Sequence, residues 1–302
     1  MSPTTAFAHP PTTLRLGDRE VRRLGFGAMR LPGKDIWGMP EDPANAVAVV
    51  RRAVELGVQF IDTSWYYGPH VANPLIAEAL HPYPADLVIA TKLGGRRTPD
   101  KGWAPFNRPE ELRQGLEHDL RELRVDCIDL VHLRWLRTDV PFLEGLDALL
   151  RLRSEGKLRQ IGLSNVDAGQ VEQALARTPV ATVQNLYNIS GGLGMLAQAT
   201  HAVVEDPEAV LDLCTARQIA YLPFFPLAVG ALGRPQPALD AVAARHGATQ
   251  AQIAIAWLLA RSPMMLPIPG TGNLAHLEEN WAARNIRLSA EDVAEITRGA
   301  RA

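Results

Sequence analysis

The sequence predicts an α/β fold of the (β/α)8 TIM barrel class. Eight short apolar or β-branched runs alternate with longer segments whose apolar residues recur at helical spacing, a pattern typical of parallel βαβ units. No linker or shift in composition divides the 302 residues, and such a barrel usually takes about 250 residues plus insertions. We therefore expect one barrel domain over residues 1–302, with residues 1–11 as a flexible N-terminal extension.

The strands are predicted from β-branched and apolar runs. Two alternating runs, Thr12–Leu16 and Arg19–Arg23, flank Gly17-Asp18 and predict a hairpin outside the repeat. We expect this hairpin to close the floor of the barrel. The eight barrel strands are predicted at Leu24–Met29, Val58–Thr63, Leu87–Lys92, Cys127–Leu133, Leu158–Ser164, Thr182–Tyr187, Ile219–Pro226 and Met264–Ile268.

The helices are predicted from apolar spacing and from their capping residues. Asn73 is expected to start the second helix, because asparagine can cap and Pro74 suits the first helical position. Capping boxes at Thr249 and Ser289 predict two helices near the C-terminus. The others are predicted at Pro43–Leu56, from Pro109, at Phe142–Glu155 and at Asp167–Ala176.

Composition argues against several classes of partner. Lys plus Arg number 31 against 33 for Asp plus Glu, and no long run of either sign suggests a nucleic-acid surface or a polybasic membrane anchor. The longest strongly apolar stretch, Ile253–Ala260, is far shorter than the roughly 20 residues of a membrane span. A secretory signal is missing from the first residues, and Cys127 and Cys214 cannot build a disulfide framework, so we expect a cytoplasmic protein. Its expected state is a monomer or a weak homo-oligomer.

Polar side chains occur where successive predicted strands end, which is the active-site face of such a barrel. Asp62 ends the second strand, Tyr67 follows in the next loop and Lys92 ends the third. A nearby ammonium is expected to lower the pKa of a tyrosine from ~10, and an aspartate would hold that ammonium in place. Tyr67 could then protonate a carbonyl oxygen while a hydride reaches the carbon, and no metal is needed.

Each of these residues also has a structural alternative. Asp62 could cap a turn, Tyr67 could be an aromatic residue at the rim, and Lys92 could be a solvated strand end. Their combination at successive strand ends favours chemistry. His132, on an inward-facing strand position, is interpreted as a hydrogen-bonded core histidine. Four aromatic residues are expected either to line a substrate pocket or to pack in the core: Trp65, Trp103, Trp135 and Phe106.

Several segments match one known family in order and spacing. They are RLGFGAMRL, FIDTSWYYGP, LVIATKLGG, IDLVHLRW, KLRQIGLSN, VQNLYN, FFPL and IPGTGNLAHLEEN. Over essentially the whole chain, the sequence resembles the aldo-keto reductase superfamily. GPHVANPLIAEALHPYP and YLPFFPL are most similar to bacterial pyridoxal reductases. The resemblance implies a barrel that binds a nicotinamide cofactor without a Rossmann domain, with Asp62, Tyr67 and Lys92 as three members of the catalytic tetrad.

The resemblance also implies a set of cofactor-binding residues. Ser164, Asn165 and Gln184 match residues that hold the nicotinamide carboxamide, and Phe224 matches an aromatic residue that stacks on the ring. Many members have basic residues at the adenosine 2′-phosphate. The corresponding residues here are Gly270, Thr271, Gly272, Asn273 and His276, followed by Glu279 and Asn280, which match the adenine-contacting pair. Because a glycine-rich turn entering a helix can bind phosphate through backbone N–H groups, NADPH is expected, with NADH as the alternative.

The position of the fourth tetrad member is a departure from the family. The family has a histidine there, whereas this chain has Arg134, five residues after Asp129. We hypothesise that Arg134 donates a hydrogen bond to the substrate oxygen or to an anionic substituent. The alternative is a salt bridge at the barrel rim. The bacterial pyridoxal reductases that the chain resembles also lack this histidine.

A second nucleotide-binding motif occurs at Gly192–Ala197, which fits G-x-G-x-x-A. It follows the sixth predicted strand, and no acidic residue ends a strand about 20 residues later, so a Rossmann site is disfavoured. We expect a loop over the active site instead.

The predicted function is therefore that of an NADPH-dependent carbonyl reductase, with reduction of pyridoxal to pyridoxine as the expected reaction. One alternative is a carbonyl reductase of a secondary-metabolite or sugar pathway. Another is a nicotinamide-binding regulatory subunit with little turnover. The absent tetrad histidine slightly favours the regulatory hypothesis, whereas the presence of Asp62, Tyr67 and Lys92 opposes it.

Overall fold

Parallel strands arranged as a barrel form the centre of the protein. The computed structural model describes residues 11–136, 139–189, 206–227 and 236–299. The strands are β1 (Thr13–Leu16), β2 (Arg19–Arg22), β3 (Phe26–Gly27), β4 (Phe60–Asp62), β5 (Val88–Arg97), β6 (Trp103–Phe106), β7 (Ile128–Arg134), β8 (Leu158–Ser164), β9 (Thr182–Leu186) and β10 (Ala220–Phe224). The parallel strands follow the order β10-β9-β8-β7-β5-β4-β3. The (β/α)8 prediction is confirmed.

The barrel closes through residues 264–269, which join the two edges of the sheet. On one side, the Tyr221 N–H donates to the Met264 carbonyl at 2.8 Å. On the other, the N–H of Gly25 donates to the Pro267 carbonyl at 2.9 Å. The predicted eighth strand at Met264–Ile268 forms only an isolated bridge, Tyr221 to Met265. Proline explains the difference, because Pro267 has no N–H to continue a ladder.

Helices pack around the outside of the sheet. Those in the described ranges are α1 (Pro43–Glu55), α2 (Ala72–Leu80), α3 (Pro109–Leu123), α4 (Phe142–Ser154), α5 (Ala168–Leu175), α6 (Pro207–Ala216), α7 (Pro237–His246), α8 (Gln250–Arg261), α9 (Leu274–Ala282) and α10 (Ala290–Gly299). The prediction that Asn73 caps α2 is wrong. Asn73 lies inside that helix and is buried, with its amide bonded to the side chains of Thr63 and Asp119.

The predicted N-terminal hairpin closes the floor of the barrel. β1 and β2 pair antiparallel around Gly17, whose φ of 62° suits the turn. Leu14, Leu16 and Val21 are buried against apolar side chains that point into the barrel, such as Leu222. The hairpin therefore blocks this end, and the opposite end is left for a site.

A second hairpin stands beside the open end. The third strand was predicted to end at Lys92, but β5 continues to Arg97 and pairs antiparallel with β6. Gly94 makes this possible, because its φ is 110° and a Cβ there would lie 2.2 Å from the Arg134 carbonyl oxygen. The hairpin brings Trp103 to the mouth of the barrel.

Two sequence predictions cannot be compared with the fold. Most of the N-terminal extension and the motif at Gly192–Ala197 lie outside the described residues. Among the helices in the described ranges, none combines the length and the apolar character that crossing a membrane requires.

Candidate functional site

A cavity of about 310 Å³ opens at the carboxyl ends of the parallel strands. This is the end of a (β/α)8 barrel at which active sites form. Seven residues predicted for the site line it: Gly270 and the side chains of Asp62, Tyr67, Lys92, Arg134, Gln184 and Phe224. The barrel therefore brings together side chains from five strands and one loop that are far apart in the sequence.

A buried ion pair lies at the base of this cavity. The Lys92 Nζ donates to Asp62 Oδ2 at 2.6 Å and to the backbone carbonyl of Thr63 at 3.0 Å. Gln184 Nε2 donates to the other carboxylate oxygen, Asp62 Oδ1, at 2.8 Å. Asp62 ends β4 and Lys92 lies in β5, the neighbouring strand, so the barrel itself fixes the pair. The carboxylate is thereby satisfied on both oxygens, as a buried charge requires.

Tyr67 lies beside this pair, in the loop between β4 and α2. The ammonium of Lys92 is 4.8 Å from the centre of its ring. The expected lowering of the Tyr67 pKa by Lys92 is wrong for this structure, since burial raises that pKa well above its ordinary value and the Asp62 carboxylate raises it further. The Arg134 guanidinium is the group that opposes the rise. Tyr67 is consequently a neutral phenol, which is the protonated form that a proton donor needs.

Arg134 ends β7 and is buried at the cavity wall. Its guanidinium carbon lies 5.6 Å from the centre of the Phe224 ring and 5.9 Å from that of Trp103. Both distances fall within the range of cation–π attraction. Arg134 thus places a permanent positive charge among aromatic faces inside the cavity, rather than at an exposed rim.

His132, two residues earlier on the same strand, belongs to the core. Its Nδ1–H donates to the Thr91 carbonyl at 3.3 Å, and the Thr182 hydroxyl donates to its Nε2 at 2.8 Å. Burial lowers the pKa of His132 to about 4, so the ring is neutral at pH 7. The interpretation of His132 as a hydrogen-bonded core histidine is confirmed.

The residues expected to hold a nicotinamide lie together at the ends of β8 and β9. Ser164 pairs in register with Gln184. The Ser164 hydroxyl and Gln184 Oε1 are buried and find no hydrogen-bond partner among the described residues. Asn165 has a φ of 62°, and its amide donates to the Trp135 carbonyl at 2.5 Å. Two buried polar atoms are therefore left for a bound group, because an unsatisfied buried polar atom is costly.

The segment expected to bind the adenosine phosphate follows residues 264–269, which close the barrel, and enters α9. Gly270 lines the cavity, and Thr271 Oγ1 accepts from the Asn273 N–H at 3.0 Å. Asn273 in turn caps α9 by accepting from the His276 N–H at 3.0 Å. The remaining expected residues are Gly272, whose carbonyl accepts from Asn45, Glu279, which is bonded to Thr249, and Asn280, which is buried.

The expected aromatic pocket is only partly present. Of the four aromatic residues proposed for it, Trp103 lines the cavity. Trp65 instead stacks on His118, and Trp135 packs edge-on against Phe142. The wall is completed by residues that the sequence did not single out, among them Met29, Tyr66 and Phe225. Met29 and Phe225 lie at the carboxyl ends of predicted strands and Tyr66 lies three residues after one, which was the signal that could have found them.

The comparisons with known proteins agree with this geometry. The model of the aldo/keto reductase family matches residues 23–300. Pyridoxine 4-dehydrogenase of Escherichia coli is 43% identical over 285 residues, which are 92% of this chain and 95% of that protein. A thermostable aldo-keto reductase crystallised with the inhibitor epalrestat superposes with a TM-score of 0.79 at 29% identity, over 95% of this chain and 99% of the other. An aldo/keto reductase of Klebsiella pneumoniae, solved with NADP and acetate, gives a TM-score of 0.74 at 28% identity, over 95% and 94% of the two chains. This chain therefore belongs to the aldo/keto reductase family, and it is an NAD(P)H-dependent oxidoreductase.

Proposed function

We propose that the protein reduces an aldehyde or ketone with NADPH, and that pyridoxal, giving pyridoxine, is its substrate. The observation that carries this proposal is the buried Asp62–Lys92 pair beside Tyr67 at the base of the cavity. A buried phenol held next to an ammonium is suited to donate a proton to a carbonyl oxygen.

The cofactor assignment rests on buried polar atoms at the ends of β8 and β9, where Gln184 also lines the cavity. The Ser164 hydroxyl and Gln184 Oε1 fit the hydrogen-bonding needs of a carboxamide, and Asn165 is their neighbour. Phe224 offers an aromatic face at the same cavity. NADPH supplies a hydride when it is bound there. The glycine-rich turn 270–272 and the N-terminus of α9 would bind its 2′-phosphate through backbone N–H groups.

The protein's own groups handle the proton. Lys92 is held by Asp62 and by the Thr63 carbonyl, so its ammonium stays fixed beside the Tyr67 ring. As negative charge develops on the substrate oxygen, Tyr67 gives up its phenolic proton to that oxygen. The Arg134 guanidinium, which opposes the rise in the Tyr67 pKa, then stabilises the phenolate that remains.

Arg134 supports pyridoxal as the substrate. Pyridoxal carries a phenolic oxygen next to its aldehyde, and a guanidinium offers several donors in a rigid fork that can contact both oxygens. Trp103 and Phe224 flank Arg134 and suit a planar ring. The E. coli relative that is 43% identical to this chain is named pyridoxine 4-dehydrogenase, and pyridoxine is the product of the reaction proposed here. We propose further that the protein works in the cytoplasm, which its two free cysteines favour.

The test is consumption of NADPH or NADH by the purified protein with pyridoxal, with the product identified by chromatography. We expect NADPH oxidation coupled to pyridoxine formation. Arg134→Ala should raise KM for pyridoxal more than for a neutral aldehyde such as benzaldehyde. The matched control is Arg177→Ala, which removes an exposed arginine paired with Asp147. No turnover with pyridoxal would refute the proposal that pyridoxal is the substrate. If a broad panel of carbonyls also failed while NADPH bound, the reductase proposal itself would be overturned in favour of a nicotinamide-binding regulatory subunit.

A further inference from the structure

Two histidines and a glutamate cluster outside the catalytic cavity, where the β4–α2 loop meets α3. His118 and Glu122 lie one turn apart on α3, and His70 belongs to the loop. One ligand-type atom from each of the three lies within 4.8 Å of the others. His70 Nδ1 is 2.5 Å from Glu122 Oε1. None of the three lines the catalytic cavity.

Each side chain of this cluster is held by a neighbour. His70 has a φ of 62°, a conformation uncommon outside glycine, which fixes its direction from the loop. The ring of His118 stacks on Trp65, with centres 5.2 Å apart. Glu122 Oε2 accepts from Asn73 Nδ2 at 3.3 Å, and Asn73 is buried in α2. Such outer contacts are what orient ligands in metal sites.

We propose that His70, His118 and Glu122 form a binding site for one divalent transition-metal ion, best suited to Zn²⁺. Two imidazoles and a carboxylate from a helix and a loop give an N,N,O ligand set, with the fourth position left for water. With bonds of 2.0–2.2 Å, ligand atoms around tetrahedral zinc lie about 3.4 Å apart. The widest separation, 4.8 Å, must therefore shorten by about 1.4 Å. Side-chain rotation can supply this change because the His70 side chain is 46% exposed.

Arg121 opposes this binding in the present arrangement. Its guanidinium donates to His118 Nδ1 at 2.5 Å, so it both occupies a ring nitrogen and adds a positive charge. Arg121 is exposed, and its side chain can turn into solvent. Removing Arg121 should consequently tighten metal binding, whereas a purely structural histidine pair would show no such response.

The proposed ion would join the loop that carries Tyr67 to α3. His70 and Tyr67 are three residues apart in that loop. Since an ion that binds only the folded protein stabilises it, the thermal midpoint should rise with ion concentration. The effect is on stability, and it is separate from the proton transfer assigned to Tyr67.

The test uses the full-length protein without a histidine tag, stripped with EDTA and dialysed. Zn²⁺ is titrated by calorimetry, and Co²⁺ is followed by the visible absorption of tetrahedral cobalt. We expect one ion per chain in the wild type and affinity at least about tenfold weaker in both His118→Ala and Glu122→Gln. Arg121→Ala should bind more tightly. His81→Ala, which removes an exposed histidine elsewhere, is the matched control and should bind as the wild type does.

Far-ultraviolet circular dichroism of each variant separates loss of the site from loss of the fold. His70→Asn changes an exposed residue, and asparagine tolerates the positive φ at this position, so it is the variant least able to disturb folding. The proposal is overturned by a wild type that binds no Zn²⁺ saturably. It is equally overturned if folded His70→Asn and His118→Ala bind like the wild type, or if Arg121→Ala leaves the affinity unchanged. Neither measurement depends on turnover, so failure here and failure of the reductase proposal are distinguishable.

Discussion

Replacing Lys92 with methionine removes the counter-charge of a carboxylate that has almost no contact with water. The side chains of Lys92 and Asp62 are 2% and 4% exposed, and their charged atoms are 2.6 Å apart. Losing one partner of a buried pair typically costs about 3–5 kcal/mol, because the other charge stays buried. Gln184 still donates to Asp62 at 2.8 Å, which keeps one oxygen satisfied and favours the lower end of that range.

The size of this effect can be measured in two ways. Urea denaturation at pH 7, followed by circular dichroism, gives the free energy of unfolding directly. Thermal unfolding gives a second value: at about 2.1 cal/mol/K per residue, a chain of this size has an unfolding entropy of about 0.6 kcal/mol/K. A loss of about 3–5 kcal/mol then lowers the thermal midpoint by about 5–8 °C.

The matched control is Lys101→Met, which removes an exposed lysine from a pair with Asp35. Their side chains are 46% and 52% exposed at 3.0 Å, so the expected loss is about 0–1 kcal/mol. The double variant Asp62→Asn with Lys92→Met removes both charges and should recover most of the lost stability without recovering turnover. Equal losses for Lys92→Met and Lys101→Met, or no recovery in the double variant, would refute the reasoning.

Three further predictions follow from other contacts. Ser164→Ala should weaken NADPH binding about 2–10-fold by fluorescence titration, the worth of one hydrogen bond, and an unchanged Kd would contradict the assignment. Gly270→Ala puts a Cβ 2.3 Å from the Gly27 carbonyl oxygen and should lower the free energy of unfolding, measured by urea denaturation, by about 1–3 kcal/mol. The control Gly169→Ala, in a helix, should not lower it. The pKa of His132 is about 4 in the folded protein, against about 6.5 in the unfolded chain. As pH falls through this range the unfolded chain binds the proton and the folded protein does not, so the free energy of unfolding drops by about 3 kcal/mol by pH 4. His132→Asn should flatten that decline in the free energy of unfolding, and an equal slope in both proteins would exclude the group.

Local pattern was enough to predict the barrel and the base of its site. The alternation of strand and helix patterns fixes a parallel sheet, and the carboxyl ends of parallel strands must meet at one face. Asp62, Lys92 and Arg134 could therefore be placed together before any contact was known. The buried N-terminal hairpin followed in the same way, from two alternating runs around Gly17.

The failures concern contacts between distant segments. The apolar neighbours of Pro267 predicted a strand, but Pro267 has no N–H for the ladder, and the segment forms only an isolated bridge. The third strand was predicted to end at Lys92, whereas the positive φ of Gly94 allows β5 to pass the Arg134 carbonyl and continue into a hairpin. Asn73 resembles a cap because its bonds to Thr63 and Asp119 are invisible in the sequence.

The prediction of a lowered Tyr67 pKa was wrong for an energetic reason. A lysine beside a tyrosine was expected to lower that pKa, but the ammonium is already paired with Asp62, and burial of the phenol dominates. Desolvation depends on how the whole barrel closes around the ring, which residue types and spacing do not reveal.

The most direct test of the account is the turnover of Tyr67→Phe with NADPH and pyridoxal. This variant removes one hydroxyl and keeps the ring beside Lys92. If Tyr67 is the proton donor, kcat should fall by about 10²–10⁴-fold, the usual contribution of a general acid, while the Kd for NADPH, measured by fluorescence, stays as in the wild type. A Tyr67→Phe protein that reduces pyridoxal at the wild-type rate would contradict the central claim.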